Sequence, residues 1–178
     1  MHRRVLPLVF LSLGFSVALA APAPDDDSCA AFTWDVKHER TLFGQEARTL
    51  AAGNTAQTAP ALATDQLFQL QLQAQPQVTF VRPPGKKAPT GETLYAGLAR
   101  LSVKTGGIYR IALDQGVWVD AIANDSLIET KDFQGRHGCN VPHKIVEFVL
   151  PAGTPITLQF SNGRTPAVRV TVTRSPTA

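Results

Sequence analysis

Short segments of alternating apolar and polar residues follow one another through most of the chain. A period of two residues buries one face of a strand and leaves the other face in water, which is typical of antiparallel sheets. Turn signals such as Gly106-Gly107, Gln115-Gly116, Asn124-Asp125 and the hairpin-type Asn162-Gly163 separate the segments. We therefore predict an all-β fold of about nine strands, a single antiparallel β-sandwich, jelly-roll-like, over residues 31–175. The alternating segments are residues 68–72, 78–80, 99–103, 109–113, 117–123, 127–133, 156–160 and 168–172.

The segment Gly135–Gly153 combines a strand signal with the residue types that chemistry requires. It contains Cys139, His137 and His143, and its apolar part, His143–Leu150, lies between two prolines. The β-branched residues and short length of that part predict a strand. A two-turn helix is the alternative, because proline is tolerated at the first position of a helix.

The region before residue 68 has weaker periodicity. Residues 32–36 predict one strand, and residues 48–63 predict a long loop rich in Ala, Thr and Gln. A short helix near residues 45–52 is compatible with this composition.

The first 20 residues have the features of a secretory signal peptide. Arg3 and Arg4 precede an apolar run over residues 5–19, and Ala18-Leu19-Ala20 fits the cleavage rule. A membrane anchor is the alternative, but the run is shorter than the roughly 20 apolar residues that a span requires. We predict a periplasmic or secreted protein with no membrane span in the mature chain. Residues 21–30, which are acidic and proline-containing, predict a disordered lead-in.

The charge balance excludes some partners. The chain has 17 Lys+Arg and 14 Asp+Glu, and removing residues 1–20 takes away two arginines and no acid, which leaves 15 and 14. A net charge of +1 gives no argument for a nucleic-acid partner. Lys86-Lys87 with Arg82 forms a small basic group in a Pro/Gly-rich segment, which predicts a solvated loop.

Cys29 and Cys139 are the two cysteines of the chain. In an exported protein an even pair predicts a disulfide. This bond would attach the N-terminal segment to the Gly135–Gly153 segment.

An enzyme hypothesis centres on His137, His143 and Glu147. They could form a two-histidine, one-carboxylate iron site. The segment resembles a fragment of the cupin motif, with Val141 where that motif has its first histidine. The resemblance implies a metal-dependent, cupin-like dioxygenase of the homogentisate dioxygenase type. On a strand, however, His143 and Glu147 lie about 13 Å apart. We therefore favour a protein that is not an enzyme and has neither a catalytic residue nor a cofactor.

A binding hypothesis centres on Trp118 and Asp120. If Val117, Val119 and Ala121 face the core, Trp118 and Asp120 share the outer face, where an aromatic ring and a carboxylate can bind a sugar. The alternative places Trp118 on the core side and Asp120 at the rim.

The segment from Tyr95 to Arg174 resembles small exported modules. The similarity lies in Leu-x-Val, Gly-Gly-Ile-Tyr-Arg-Ile-Ala-Leu, Val-Trp-Val-Asp and Phe-Val-Leu-Pro-Ala-Gly-Thr-Pro-Ile-Thr-Leu. These motifs resemble pre-peptidase C-terminal and galactose-binding-like modules, and the chain is similar to an uncharacterised family of exported bacterial β-sandwich proteins. The resemblance implies a non-catalytic binding or accessory role in the cell envelope, with an envelope protein or a glycan as partner.

Overall fold

The computed structural model describes residues 27–176, which form a β-sandwich of two six-stranded sheets. The first sheet has the spatial order β1 (Arg48–Ala51), β3 (Leu67–Gln71), β12 (Ala167–Arg174), β6 (Gly107–Leu113), β10 (Lys144–Leu150) and β9 (Thr130–Gly135). The second has the order β2 (Ala61–Leu62), β5 (Tyr95–Leu101), β11 (Ile156–Gly163), β7 (Trp118–Ala123) and β8 (Ser126–Ile128), with β4 (Gln73–Ala74) also beside β5. The helical elements are α1 (Asp27–Ala30), α2 (Lys37–Phe43) and a 3-10 turn at Gln75–Gln77.

The all-β sandwich predicted from the alternation is confirmed. Its pairings are antiparallel except for two short parallel ones, β1 with β3 and β2 with β5. The inward residues of both sheets make one large core, which includes Phe68, Ile111, Phe148, Leu158 and Phe160. The apolar members of the period-two pattern therefore meet between the sheets, as expected for a sandwich.

Most connections between consecutive strands cross from one sheet to the other. The exceptions after β5 are the hairpins β7–β8 and β9–β10. In the β7–β8 hairpin, Asn124 and Asp125 have φ angles of 49° and 57°, which suits a two-residue turn. Asn162-Gly163, predicted as a hairpin turn, does not form one, because β11 and β12 belong to different sheets. Asn162, with a φ of 58°, lies inside β11 at a register shift against β5, so it forms a bulge and the chain turns after it.

Several local predictions are wrong, most of them in the first half of the chain. Residues 32–36 contain no strand and lead into α2, whose Leu42 and Phe43 are buried. Residues 48–63 are not the long loop that was predicted, nor is there a helix near residues 45–52, because β1 and β2 lie there and find parallel partners in β3 and β5. Residues 78–80 belong to a loop. The single strand predicted over residues 127–133 is divided into β8 and β9, since the chain changes sheets near Glu129.

The strand predicted within His143–Leu150 is confirmed as β10, and the disulfide between Cys29 and Cys139 is confirmed, with 5.1 Å between the Cα atoms. The bond links α1 to the connection between β9 and β10 and holds the N-terminal segment there. The signal peptide at residues 1–20 lies outside the described residues, as does most of the lead-in, whose last four residues form α1. Within residues 27–176, no helix is long and apolar enough to cross a membrane.

A group of polar residues, here called the Arg110 cluster, joins α2 to the outer face of the first sheet. Arg110, 5 % exposed, donates from Nε to Glu147 Oε1 at 3.0 Å and from Nη1 to the Asp35 carbonyl at 2.7 Å. Its Nη1 lies 3.5 Å from Glu39 Oε1, and its guanidinium carbon lies 4.9 Å from the centre of the Trp34 ring. A buried arginine is thereby neutralised by two carboxylates and covered by an aromatic ring.

Candidate functional site

The candidate site is an opening along one side of the sandwich, where the second sheet is shorter than the first. β8 pairs only with residues 121–123 of β7, so Trp118, Val119 and Asp120 have no strand beside them on that side among the described residues. In the first sheet, β9 pairs with residues 144–148 of β10, and its residues 130–133 line the opening. A cleft follows from this mismatch in strand length, and we call it the Trp118 cleft.

The Trp118 cleft consists of two adjoining cavities of about 340 Å³ and 670 Å³. Trp118, Phe133 and Lys144 line both cavities and so form their common wall. Val119 and Val146 add apolar surface on one side, and Lys86 adds charge on the other. Both volumes are in the range of pockets that hold small molecules, roughly 300–1,000 Å³.

Trp118 and Asp120 project from the face of β7 opposite to the core. Their neighbours Val117, Val119 and Ala121 belong to the core between the sheets. The Trp118 indole Nε1 donates to Asp120 Oδ1 at 2.8 Å, and the Gly85 amide donates to Asp120 Oδ2 at 3.1 Å. Asp120 is only 7 % exposed, so the structure differs from the prediction of a shared exposed face. The carboxylate orients the indole instead of facing solvent.

Lys144 enters the cleft from the opposite sheet. In β10 it shares the inward face with Val146, Phe148 and Leu150, so its stem runs between the sheets at their open side. Its Nζ lies 5.0 Å from the centre of the Trp118 ring and 3.4 Å from the Val117 carbonyl oxygen. The pKa of Lys144 is lowered, first by burial and then by the nearby Lys86 ammonium, while the Asp120 carboxylate raises it in part.

The loop of residues 79–94 forms the third wall and is held by buried side chains of the second sheet. Gln159 Oε1 accepts from the amides of Val81 and Arg82 at 2.6 and 3.1 Å. Asn162 Nδ2 donates to the Lys86 carbonyl at 3.1 Å. A Cβ atom at Gly85 would lie 2.9 Å from Asp120 Oδ1, so glycine permits this close approach. The solvated loop predicted around Lys86-Lys87 is therefore fixed in place beside the cleft.

Phe133 supplies a second aromatic surface. It lies on the edge strand β9, directly opposite Val146 in the register, and is 64 % exposed. A phenyl ring of such exposure is unusual, because large apolar side chains are mostly covered in a folded domain. Phe133 and Trp118 therefore present an open and a half-buried ring in one cleft.

The residues of the proposed iron site have other partners. His137 and His143 do approach each other, with ring centres 5.9 Å apart, and His143 Nδ1 lies 3.1 Å from the Cys139 carbonyl oxygen. Glu147 belongs to the Arg110 cluster, where its Oε1 accepts from Arg110 Nε at 3.0 Å. Among the described residues, no three His, Cys, Asp or Glu side chains are placed to hold a metal ion. The structure thus separates Glu147 from the histidine pair.

Sequence reasoning identified Trp118 and Asp120 but missed Lys144, Phe133 and the role of Lys86. A signal for Lys144 was present, because the period-two pattern places it on the same face as Val146 and Phe148, where a charge is unexpected. Phe133 carried no comparable signal. Its exposure depends on β9 being an edge strand, which is a property of the sheet order.

Comparison with known proteins gives no family assignment, since no family model and no curated protein matches the chain.

Proposed function

We propose that this protein is an exported, disulfide-bonded binding module of the cell envelope that holds a glycan in the Trp118 cleft. The observation that carries the proposal is the pair of aromatic rings, Trp118 and Phe133, in a solvent-open cleft whose walls are fixed by hydrogen bonds of the buried Asp120 and Asn162 side chains. Aromatic rings offer flat apolar surfaces with little side-chain entropy to lose, which suits stacking against the apolar face of a sugar ring.

The cleft is preorganised for binding. Trp118 is oriented by Asp120, Asp120 is fixed by the Gly85 amide, and the loop carrying Gly85 is attached to β11 through Gln159 and Asn162. A ligand therefore meets a formed site and need not order it, which lowers the entropy cost of association. The similarity of residues 95–174 to galactose-binding-like modules agrees with this proposal.

Export is supported by two independent features. The N-terminal sequence has the pattern of a secretory signal, and the Cys29–Cys139 bond is of the kind that persists in oxidising compartments. A position in the envelope brings the cleft into contact with surface and wall polysaccharides, which are abundant there.

The experiment compares glycan binding by two serine variants of exposed apolar residues. Phe133→Ser removes an aromatic wall of the cleft, and Val149→Ser changes a residue of similar exposure, 56 %, outside it. We expect binding on a glycan array by the parent and by Val149→Ser, and a loss of about tenfold or more in Phe133→Ser. Protein recovered from the periplasm should have the mass of a chain that begins at Ala21.

Two results would contradict glycan binding in the Trp118 cleft. One is the absence of binding to every oligosaccharide on the array. The other is capture of an envelope protein by the parent but not by Phe133→Ser, when no glycan binds to either. That result would show that the cleft binds a protein partner. Recovery of protein that retains residues 1–20 in a membrane fraction would contradict the export and cleavage that we propose.

A further inference from the structure

We infer that the ligand of the Trp118 cleft is an acidic sugar, whose carboxylate binds to the ammonium group of Lys144 with support from Lys86. This inference rests on the proposed function, because it specifies the class of glycan that the same site selects. It comes from the distribution of charge around the two aromatic rings.

Lys144 has hydrogen-bonding capacity that the protein leaves largely unused. A lysine ammonium has three N–H donors. Its one hydrogen bond among the described residues is the long contact of 3.4 Å to the Val117 carbonyl. Within the part of the chain that the structure describes, no carboxylate lies within 4.0 Å of its Nζ. A bound carboxylate could therefore accept strong, charge-assisted hydrogen bonds from this group.

Asp120 is not in salt-bridge contact with Lys144, and both of its oxygens already accept hydrogen bonds from other groups. Its Oδ1 accepts from the Trp118 indole and its Oδ2 from the Gly85 amide. It acts on Lys144 only as a neighbouring charge, and its effect follows those of burial and of Lys86 in size. Asp120, the carboxylate that raises the pKa of Lys144, therefore serves to position the Trp118 indole.

Lys86 adds a second positive charge. The Asn162 side chain holds the backbone of Lys86, and both Lys86 and Lys87 line the larger cavity without a carboxylate in salt-bridge contact among the described residues. Arg164, on the same cavity, is paired with Glu92 at 3.2 Å. Three lysines without such partners in one cleft contrast with the nearly balanced charge of the whole chain.

Burial and the Lys86 charge both disfavour the ammonium form of Lys144, as its lowered pKa shows. An incoming carboxylate opposes both effects at once, since it replaces lost water contacts and offsets the repulsion between the two lysines. The aromatic rings restrict the choice further. A small inorganic anion would leave Trp118 and Phe133 without contact, whereas a sugar acid uses the rings and the ammonium together.

The test uses isothermal titration with oligomers of galacturonic acid and glucuronic acid, each compared with its methyl ester. The ester keeps the sugar ring and removes the negative charge. We expect at least one acid to bind the parent protein about tenfold or more tighter than its ester, as a charged hydrogen bond implies. Lys144→Met should abolish this preference, Lys144→Arg should keep most of it, and Lys104→Met, a change at an exposed lysine between β5 and β6, should leave it unchanged.

The outcomes distinguish failure of this inference from failure of the proposed function. Equal binding of acids and esters, or binding of neutral glycans alone, would overturn the acidic-sugar inference and leave the glycan module standing. Absence of any glycan binding would overturn both. Displacement of the acid by inorganic phosphate at equal concentration would indicate a general anion site and would also overturn the inference. Urea denaturation of each variant establishes that the variant is folded before its binding is interpreted.

Discussion

Two regions of the molecule hold a cation over a tryptophan at nearly the same distance. Arg110 lies 4.9 Å from the centre of the Trp34 ring, and Lys144 lies 5.0 Å from the centre of the Trp118 ring. In the first region the cation contacts Glu147 at 3.0 Å. In the second, no described carboxylate is in salt-bridge contact with it. The pairs therefore share one interaction and differ in how the charge is neutralised.

The difference shows how a buried network can be distinguished from a binding site. Breaking a buried, paired charge leaves its partner in a medium of low polarity, which is costly for the fold. A half-buried lysine without a paired acid is unfavourable for the folded protein and favourable for an anionic ligand. Stability should thus depend on the Arg110 cluster, and binding should depend on the Trp118 cleft.

The largest effect is expected from Arg110→Met. The substitution leaves Glu39 and Glu147 buried, and Glu39 Oε2 already has no hydrogen-bond partner among the described residues. We expect a loss of about 3–5 kcal/mol in the free energy of unfolding, measured by urea denaturation. Adding Glu39→Gln and Glu147→Gln should restore part of it, since the unpaired charges are removed. An unchanged denaturation midpoint in Arg110→Met would contradict the structural role of the cluster.

An intermediate effect is expected from replacing Cys29 and Cys139 together by serine. The disulfide closes a sequence separation of 110 residues, and bonds of this kind contribute about 2–4 kcal/mol. Because the bond holds the segment that carries Trp34 and Asp35, hydrogen exchange should increase most in residues 29–43. Binding in the Trp118 cleft should survive. Equal free energies of unfolding with and without the bond would show that the Arg110 cluster alone holds the segment.

The smallest effect on stability is expected from Lys144→Met, with the opposite sign. The pKa of Lys144 is lower in the folded protein than its ordinary value of 10.5, so the folded state disfavours the ammonium. At neutral pH the variant should be slightly more stable than the parent. If the parent were more stable than Lys144→Met at neutral pH, the claim that the folded state disfavours the Lys144 ammonium would be wrong.

The pH dependence of that difference has a defined sign. Between the lowered pKa and 10.5, the unfolded chain binds more protons at Lys144 than the folded chain does, so parent stability rises with pH. The advantage of Lys144→Met should therefore shrink as pH rises through this window. Both proteins contain the other titratable groups that line the cleft or act on Lys144, which are Lys86, Lys87, Asp120, Lys131, Asp132, His137 and Arg164. The difference between the two curves consequently isolates Lys144.

The sequence by itself determined the sandwich and much of its strand content. Alternation such as that of Val168, Val170 and Val172 depends only on local geometry, because successive side chains point to opposite faces of any strand. The disulfide was also predictable, since the sequence predicts export and two cysteines allow only one intramolecular pair. Predictions failed where the local pattern was weak, as in α2 and β1, whose residues take their conformation from long-range partners.

Only the tertiary structure decided the site. Trp118 gains its position because β8 is too short to cover the first half of β7, and Phe133 is exposed because β9 is the edge strand of its sheet among the described residues. Lys86 reaches the cleft because buried side chains of β11 fix its loop. These relations join residues far apart in the chain, and nothing in the local pattern encodes their distances. Local periodicity fixes which face of a strand is buried, whereas strand order and strand length fix where the sandwich stays open.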